Sequence, residues 1–221
     1  MRQSGINILI KLLRERGLRN SIKYSYSRYR YFLKYRIPLA KIMTPAELNI
    51  KHPYANNYEP VNHYSFFRMM KSLNRDWRDN SFIDFGCGKG SAILLAEKYN
   101  FKSYIGVELA PSLVQEAKEN LAKVDAKLAR RTEIVQADAS LFPIPAEVDV
   151  FYFFNPFQRP VMQAVVQSIK NSLQAYPRPI FILYFNAVDL DLFVSAGFKI
   201  CYAQEEDAIS AYACGNYALT N

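Results

Sequence analysis

The stretch FIDFGCGKGSAILLAEKY, residues 82–99, decides the fold. It joins an apolar run to a helical pattern through three glycines, Gly86, Gly88 and Gly90. The whole chain of 221 residues contains only 8 glycines, so their concentration here indicates a backbone requirement. Glycine allows positive φ and lets a ligand approach the main chain, and the N-terminus of the next helix presents free N–H groups. The stretch therefore predicts a strand, a tight ligand-binding turn and a helix.

After residue 81 the sequence alternates between strand and helix patterns. VDVFYFF and PIFILYF are nearly continuous apolar runs, typical of central parallel strands. FKICYAQ, the acidic EED and AISAYACGNYAL predict a terminal antiparallel hairpin. Together with the two apolar runs, the strand candidates are 81–85, 103–108, 132–137, 148–154 and 178–185, and the helix candidates are 90–99, 111–124 and 159–174. We therefore predict an α/β fold, a doubly wound, mostly parallel seven-stranded sheet with a C-terminal antiparallel hairpin.

The net charge of +8 is concentrated near the N-terminus. Residues 1–51 hold 12 Lys and Arg against Glu15 and Glu47, whereas the remaining 170 residues are slightly acidic. Apolar residues recur there at helical spacing, first at Ile6, Leu9, Ile10 and Leu13 and then at Ile22, Tyr26, Tyr29 and Leu33. We predict a basic helical extension and linker over residues 1–55 and one domain over residues 56–221.

The basic extension admits several partners. It could lie on an anionic membrane surface, bind nucleic acid through Lys, Arg and Tyr, pack its apolar stripe on the domain as a solvated arm, or be a cleaved transit peptide. No run approaches 18 apolar residues, and Cys87, Cys201 and Cys214 form no CxxC pair. We therefore expect a cytoplasmic protein, peripheral at the membrane if the extension binds lipid, and no metal site.

Acidic residues surround the glycine turn at spacings that suit a nucleotide. Asp84 precedes Gly86, and Glu108, 22 residues after Gly86, ends the second candidate strand, where a carboxylate can accept both hydroxyls of a ribose. Asp138 ends the third, where it could lie beside an adenine. The dinucleotide fingerprint would place its third glycine at position 91, which is Ser91. An NAD(P)-dependent Rossmann oxidoreductase is therefore a disfavoured alternative.

The constellation resembles the seven-strand, class I S-adenosylmethionine-dependent methyltransferases. DFGCGKG is similar to their first motif, GVEL with Glu108 to their ribose-binding acid, and QADA with Asp138 to the acid near adenine. The resemblance covers about residues 56–221 and implies S-adenosylmethionine as the cofactor. The residues that it implies as cofactor contacts are Asp84, Gly86, Cys87, Gly88, Gly90, Glu108 and Asp138.

The segment before the first strand extends the resemblance. NNYEPVNHYSFFRMM, together with the motifs above, is similar to a bacterial group of mostly uncharacterised class I methyltransferases. In such groups this segment often covers the cofactor, which implies Tyr58 and Pro60 as further contacts. Cys87 lies inside the glycine loop, where we expect it to fill space rather than to act as a nucleophile.

A possible acceptor motif ends the fourth candidate strand. FYFFNPFQRP places Asn155, Pro156 and Phe157 where ligands bind in open α/β sheets. The stretch is similar to the Asn-Pro-Pro-Tyr motif of amino methyltransferases, in which the Asn oxygen and a proline carbonyl accept hydrogens from the target amine, but one proline is missing here. The resemblance implies these three as catalytic residues of an N-methyltransferase acting on a protein or other amine-bearing acceptor. Nucleic acid and small-molecule acceptors stay open, as does a non-catalytic module that binds nucleic acid or a membrane surface.

Overall fold

A computed structural model provides the structure of the protein. It describes Ile22, Ser25, Tyr26, Tyr29 and residues 33–35, 42–204 and 210–215. The predicted stripe of Ile6, Leu9, Ile10 and Leu13 and the predicted EED turn lie outside the described residues.

A seven-stranded sheet forms the centre of the described part. Its strands are β1 (Ser81–Phe85), β2 (Ser103–Glu108), β3 (Thr132–Gln136), β4 (Val148–Phe154), β5 (Phe181–Phe185), β6 (Lys199–Gln204) and β7 (Ala211–Gly215). They lie in the order β3-β2-β1-β4-β5-β7-β6, with the first five parallel and β7 antiparallel to both β5 and β6. The predicted fold class is confirmed. The fifth strand begins at Phe181 rather than at residue 178, because Pro179 has no N–H for the ladder.

Helices cover both faces of this sheet. They are α1 (His63–Leu73), α2 (Ser91–Ala96), α3 (Pro111–Val124), α4 (Ala126–Arg130), α5 (Arg159–Ala175) and α6 (Leu190–Ser195), with 3-10 turns at Glu97–Tyr99 and Ala139–Leu141. The sequence patterns missed α4 and α6, since elements of five or six residues are too short to show helical periodicity. Side-chain chemistry marks the start of α4, where the Asp125 carboxylate accepts hydrogen bonds from the N–H groups of Lys127 and Leu128.

The strands divide the core into two layers by alternation of their side chains. Phe82 and Tyr152 face α1, α2 and α3, where Phe66 of α1 packs, whereas Phe85 and Phe153 face α5 and α6. All four of these strand side chains are buried. Burial on both faces explains why the central strands read as continuous apolar runs rather than as alternating ones.

The chain order of the strands creates a crevice at one edge of the sheet. The chain passes from β1 outward to β2 and β3, then returns to β4 on the other side of β1. Ligands of open α/β sheets bind at such a reversal, outside the carboxyl ends of the strands. The glycine loop follows β1 there, and residues 155–157 follow β4.

A covering segment, residues 42–61, crosses this crevice. The Met43 N–H donates to the Tyr58 carbonyl at 3.1 Å, and the Tyr58 N–H donates back to the Met43 carbonyl at 2.8 Å. Ala55 forms an antiparallel bridge with Phe157, and the Gln158 N–H donates to the Tyr54 carbonyl at 2.9 Å. The predicted boundary between residues 55 and 56 falls within the covering segment, and it stays a prediction.

The described residues between positions 22 and 35 are helical, and Tyr35 contacts the domain. Tyr35 is buried, and its hydroxyl donates to the Leu94 carbonyl of α2 at 2.9 Å. Lys34 Nζ donates to the Tyr35 hydroxyl at 2.8 Å and lies 3.7 Å from the Glu97 carboxylate. The predicted apolar stripe of Ile22, Tyr26, Tyr29 and Leu33 is exposed rather than packed on the domain. Among the described residues, no helix combines the length and apolarity that a membrane crossing requires.

Candidate active site

The glycine loop is held tightly by its neighbours. The N–H groups of Gly86 and Cys87 both donate to the Val107 carbonyl, at 2.8 and 3.1 Å. Gly86 and Gly88 have φ of 73° and 54°, in the left-handed region. A Cβ on Gly86 would overlap Pro156, and one on Gly88 would overlap the Tyr58 ring. The glycines therefore permit both the turn and the close approach of two other predicted site residues.

Gly88→Ala is expected to lower the free energy of unfolding by roughly 2–4 kcal/mol. About 1 kcal/mol or more follows from the left-handed backbone, and the overlap with Tyr58 adds about 1–3 kcal/mol. Gly90→Ala is the matched control, because Gly90 also has positive φ, 77°, but its Cβ would lie 3.5 Å from Ala117 Cβ, an ordinary contact. Chemical denaturation of both variants measures the difference. Equal losses would show that Tyr58 moves aside at no cost.

Glu108 ties the second strand to the glycine loop. It is buried, and its Oε2 accepts from the Gly88 N–H while Oε1 accepts from the Ala110 N–H, both at 2.9 Å. The same carboxylate lines the cleft beneath the covering segment. Burial raises the pKa of Glu108, although the backbone hydrogen bonds oppose the rise. Each carboxylate oxygen has a second lone-pair direction, so the loop bonds leave Glu108 able to accept ribose hydroxyls.

A second buried acid, Asp84, and the unpaired hydroxyl of Tyr152 lie near Glu108. Asp84 of β1 is buried, and burial together with the charge of Glu108 raises its pKa well above the usual value. Tyr152 of β4 is its register partner. The Tyr152 hydroxyl is buried without a hydrogen-bond partner, and both residues line the cleft. Two buried acids and an orphaned hydroxyl suit a ligand that carries positive charge and polar groups, as S-adenosylmethionine does.

Cofactor affinity is expected to rise with pH. A raised folded-state pKa means that Asp84 and Glu108 stabilise the free protein below their unfolded pKa of about 4, and that this stability is lost as pH rises through the folded pKa. A cationic ligand favours the ionised carboxylates. Binding should therefore release protons at pH values between the unfolded pKa and the raised folded pKa of these acids. Titration calorimetry in buffers of different ionisation enthalpy measures the release.

The pH effect should be larger for S-adenosylmethionine than for S-adenosylhomocysteine, which lacks the sulfonium charge. Asp84→Asn removes one titrating group and should reduce the proton release. An affinity that does not change with pH for either ligand would contradict the expectation.

Asp138 lines a different part of the cleft. Its Oδ1 accepts from the Ser140 N–H at 2.8 Å and from the Ser140 hydroxyl at 2.7 Å, and its Oδ2 lies 3.5 Å from His52 Nε2. Partial burial acts to raise the pKa of Asp138, but the Ser140 hydrogen bonds and the nearby His52 outweigh it and lower the pKa. Asp138 therefore stays ionised at the cleft and links it to the covering segment.

The cleft lies between the covering segment and the carboxyl ends of the strands. Its empty space, including solvent at the open mouth, is about 920 Å³. Of the predicted cofactor contacts, Tyr58, Asp84, Gly86, Cys87, Glu108 and Asp138 line it. Gly88 and Gly90 lie outside its lining; Gly88 sits under Tyr58, and Gly90 caps α2. The contacts themselves stay predictions.

The predicted acceptor residues divide between two spaces. Pro156 and Phe157 line the cleft, whereas Asn155 lines a polar pocket beside it. Asn155 has a φ of 41°, and Asn56 Nδ2 donates to its backbone carbonyl at 3.1 Å and to its Oδ1 at 3.4 Å. The three residues therefore lie at the junction of the cleft and the polar pocket.

Cys87 behaves as a space-filling residue. It is buried, and a Cβ on Gly106 would lie 2.8 Å from its Sγ. Burial, together with the charges of Asp84 and Glu108, raises the thiol pKa well above its usual value. A neutral thiol is a poor nucleophile, so the geometry agrees with the space-filling role expected of Cys87.

Sequence reasoning missed most of the covering segment and one strand residue. The additional cleft residues include His52, Ala55, Asn56, Asn57, Glu59, Ser91 and Tyr152. The covering segment has no regular period to read, so only its resemblance to related sequences pointed to Tyr58. Tyr152 did carry a signal, because alternation along β4 places it on the same face as its register partner Asp84.

Comparisons with known proteins bear on the domain and on the fold. Residues 82–175 match the family model described as a methyltransferase domain. No curated protein matches the chain. Three crystal structures share the fold, although their identities are too low to show more than that.

The first is an S-adenosylmethionine-dependent methyltransferase from Aquifex aeolicus, with 11% identity, a TM-score of 0.54, and coverage of 72% of this chain and 100% of that chain. The second is the glycopeptide N-methyltransferase MtfA with S-adenosylmethionine, with 11% identity, a TM-score of 0.56, and coverage of 71% and 95%. The third is an RNA methyltransferase from Salinibacter ruber with S-adenosylhomocysteine, with 18% identity, a TM-score of 0.53, and coverage of 74% and 98%.

The match over residues 82–175 identifies a methyltransferase domain in this chain, its fold is Rossmann-like, and the protein is therefore an enzyme. Its cofactor is S-adenosylmethionine, as the resemblance implied. These findings favour a methyltransferase over the oxidoreductase alternative. The cofactor supplies a methyl group on a positively charged sulfur, which leaves as a neutral thioether once a nucleophile has taken the methyl group.

Proposed function

We propose that this methyltransferase transfers the methyl group to a nitrogen atom of a protein or other amine-bearing acceptor. The position of Asn155 is the observation that supports the proposal. It follows β4 at the switch point of the sheet, and Pro156 next to it packs on Gly86 of the glycine loop. A side-chain amide oxygen at this place can accept a hydrogen bond from the N–H of an acceptor.

Orientation is the main contribution that these residues make. Methyl transfer is an in-line displacement, and holding the nucleophile in line lowers the barrier by reducing its entropy. Asn155 Oδ1 would orient the nitrogen, and the buried Phe157 ring excludes water from the cleft wall. The bond from Asn56 to Asn155 Oδ1 is long, 3.4 Å, so an acceptor N–H can replace it at little cost.

The test is transfer of a radioactive methyl group to an extract of the source cells. The purified enzyme and S-adenosylmethionine labelled in the methyl group are incubated with the extract, which is then separated into protein, nucleic acid and small molecules. Acid hydrolysis and chromatography identify the labelled atom. We expect a base-stable label on nitrogen. A base-labile ester, a label on oxygen or carbon, or no label at all would overturn the proposal.

A further inference from the structure

A polar pocket opens off the cofactor cleft at the carboxyl ends of β4 and β5. Its lining residues are Asn56, Asn57, Glu59, Phe154, Asn155 and Asn186. The first four of these also line the cleft. The polar pocket and the cleft are therefore direct neighbours that share these four residues.

Two of its asparagines have unusual backbone conformations. Asn155 and Asn186, which follow β4 and β5, have φ of 41° and 49°. The Asn186 N–H donates to the Ser210 carbonyl at 2.6 Å, and the Ala187 N–H donates to the Ser210 hydroxyl at 3.0 Å. Left-handed backbone away from helix ends persists where the surrounding structure enforces it, and such positions concentrate at ligand sites.

One charge distinguishes the pocket. Glu59 is the single charged residue of the lining, and its side chain is exposed at the boundary with the cleft. The other polar groups are side-chain amides, which accept hydrogen bonds through oxygen and donate them through nitrogen. The lining thus offers one negative charge and several acceptors, which suits a cation with more than one N–H.

We propose that this polar pocket holds the methyl acceptor and that Glu59 selects a positively charged alkyl amine, such as a lysine side chain. The inference rests on the proposed function. An acceptor embedded in phosphates would be repelled by Glu59, and a neutral amide would gain no charge attraction from it. A guanidinium keeps its proton in proteins, whereas an alkyl amine can lose one and expose a lone pair.

The ammonium ion must lose a proton before methyl transfer, and Glu59 lies where that proton can leave. The ammonium ion binds through its N–H groups and gives one proton to water beside the exposed carboxylate. The nitrogen lone pair then forms the new bond to the methyl carbon, and the electron pair of the broken bond stays on the sulfur. A secondary ammonium ion and the neutral thioether are the products, so atoms and charge balance.

The labelling experiment separates this inference from the proposed function. We expect label on alkyl amine nitrogens, recovered as N-methyllysine or a methylated small amine. Glu59→Gln should lower the initial rate at limiting extract by about tenfold or more, the loss expected when a charged hydrogen bond is weakened. More extract should recover most of that rate, because the variant binds the acceptor more weakly. Glu147→Gln, another exposed glutamate outside both pockets, should behave as wild type.

Binding of S-adenosylhomocysteine, measured by calorimetry, provides the readout that does not depend on turnover. It should be unchanged in Glu59→Gln, and a clear loss would assign Glu59 to the cofactor and overturn the inference. Label on arginine, amide or ring nitrogens, or an unaffected Glu59→Gln rate, would overturn it while N-methylation stands. Label on oxygen or none would overturn both.

A second surface is marked by the exposed stripe of the extension. Ile22, Tyr26, Tyr29 and Leu33 are 60, 60, 57 and 42% exposed. Their spacing of four, three and four residues places them along one helix face. Tyr35, at a different angle on the helix, is the residue buried against the domain. The stripe is therefore presented away from the domain.

We infer that this stripe docks on an anionic lipid surface. Residues 1–51 carry 12 Lys and Arg against two acids, which complements anionic headgroups. Tyrosine suits the interfacial region of a bilayer, and a hydrocarbon layer accepts Ile22 and Leu33. Nucleic acid would engage the tyrosines and the cations but would leave the two aliphatic side chains in water.

Vesicle sedimentation of the full chain tests the docking. We expect binding to vesicles of phosphatidylcholine with phosphatidylserine and little to phosphatidylcholine alone. Ile22→Ser combined with Leu33→Ser should weaken binding by about tenfold or more, with unfolding unchanged because both side chains are exposed. Equal binding of the two vesicle types, no binding, or an unaffected double variant would overturn the inference, as would binding to polyuridylate in place of vesicles.

Discussion

Glu108→Ala is expected to weaken S-adenosylhomocysteine binding by about 100-fold or more, because two charge-assisted hydrogen bonds to ribose hydroxyls would be lost at about 1.5–3 kcal/mol each. The Glu108 carboxylate also holds the Gly88 N–H at 2.9 Å, so the variant loosens the loop as well as removing the ligand contact. Titration calorimetry measures the affinity. Glu119→Ala is the control, because it removes the same negative charge from an exposed position outside the cleft. It should bind S-adenosylhomocysteine as wild type does.

Glu108→Gln separates the two roles of this side chain. The amide keeps one oxygen for a backbone N–H and loses the charge that two donors share, so its affinity should fall between those of wild type and Glu108→Ala. Denaturant unfolding without ligand reports the loop contribution alone. If Glu108→Ala unfolds more readily than wild type yet binds S-adenosylhomocysteine normally, the carboxylate is a loop anchor and not a ribose contact.

The sheet and its ligand edge were readable from the sequence because their signals are local. Gly86, Gly88 and Gly90 report a backbone conformation that other residues strain to adopt, and all three do have positive φ. The apolar runs of β4 and β5 report burial on both faces. The acids at the ends of β2 and β3 fall on one edge because parallel strands share their carboxyl ends.

The covering segment and the polar pocket were not readable in the same way. Residues 42–61 follow no helix or strand period, and their position comes from pairing with residues distant in sequence, as Ala55 does with Phe157. Glu59 and Asn186 are separated by more than half the chain and meet only through the sheet order. A pattern within one window cannot report such a meeting, whereas Asn155 was found because it carries a local motif.

Asn155→Gly is expected to lower kcat by about 100-fold or more while S-adenosylhomocysteine affinity stays within about twofold, because the side chain orients the acceptor and lies outside the cleft lining. Glycine is the right replacement, since it removes the amide and still accepts the φ of 41°. Alanine would add backbone strain and confuse a folding defect with a catalytic one. Single-turnover rates of labelled methyl transfer to the extract measure the catalytic loss. Calorimetry measures the affinity for S-adenosylhomocysteine.

Asn74→Gly is the matched control for this variant. Asn74 has a nearly equal φ of 43°, but it caps the end of α1, away from both pockets. It should keep wild-type turnover, and comparing the two variants removes whatever effect glycine has on left-handed backbone. If Asn155→Gly loses cofactor affinity and turnover in equal proportion, Asn155 supports the cleft rather than the acceptor. If neither changes, the acceptor nitrogen is oriented by other groups of the polar pocket, and the resemblance of residues 155–157 to the amino methyltransferase motif has no catalytic meaning.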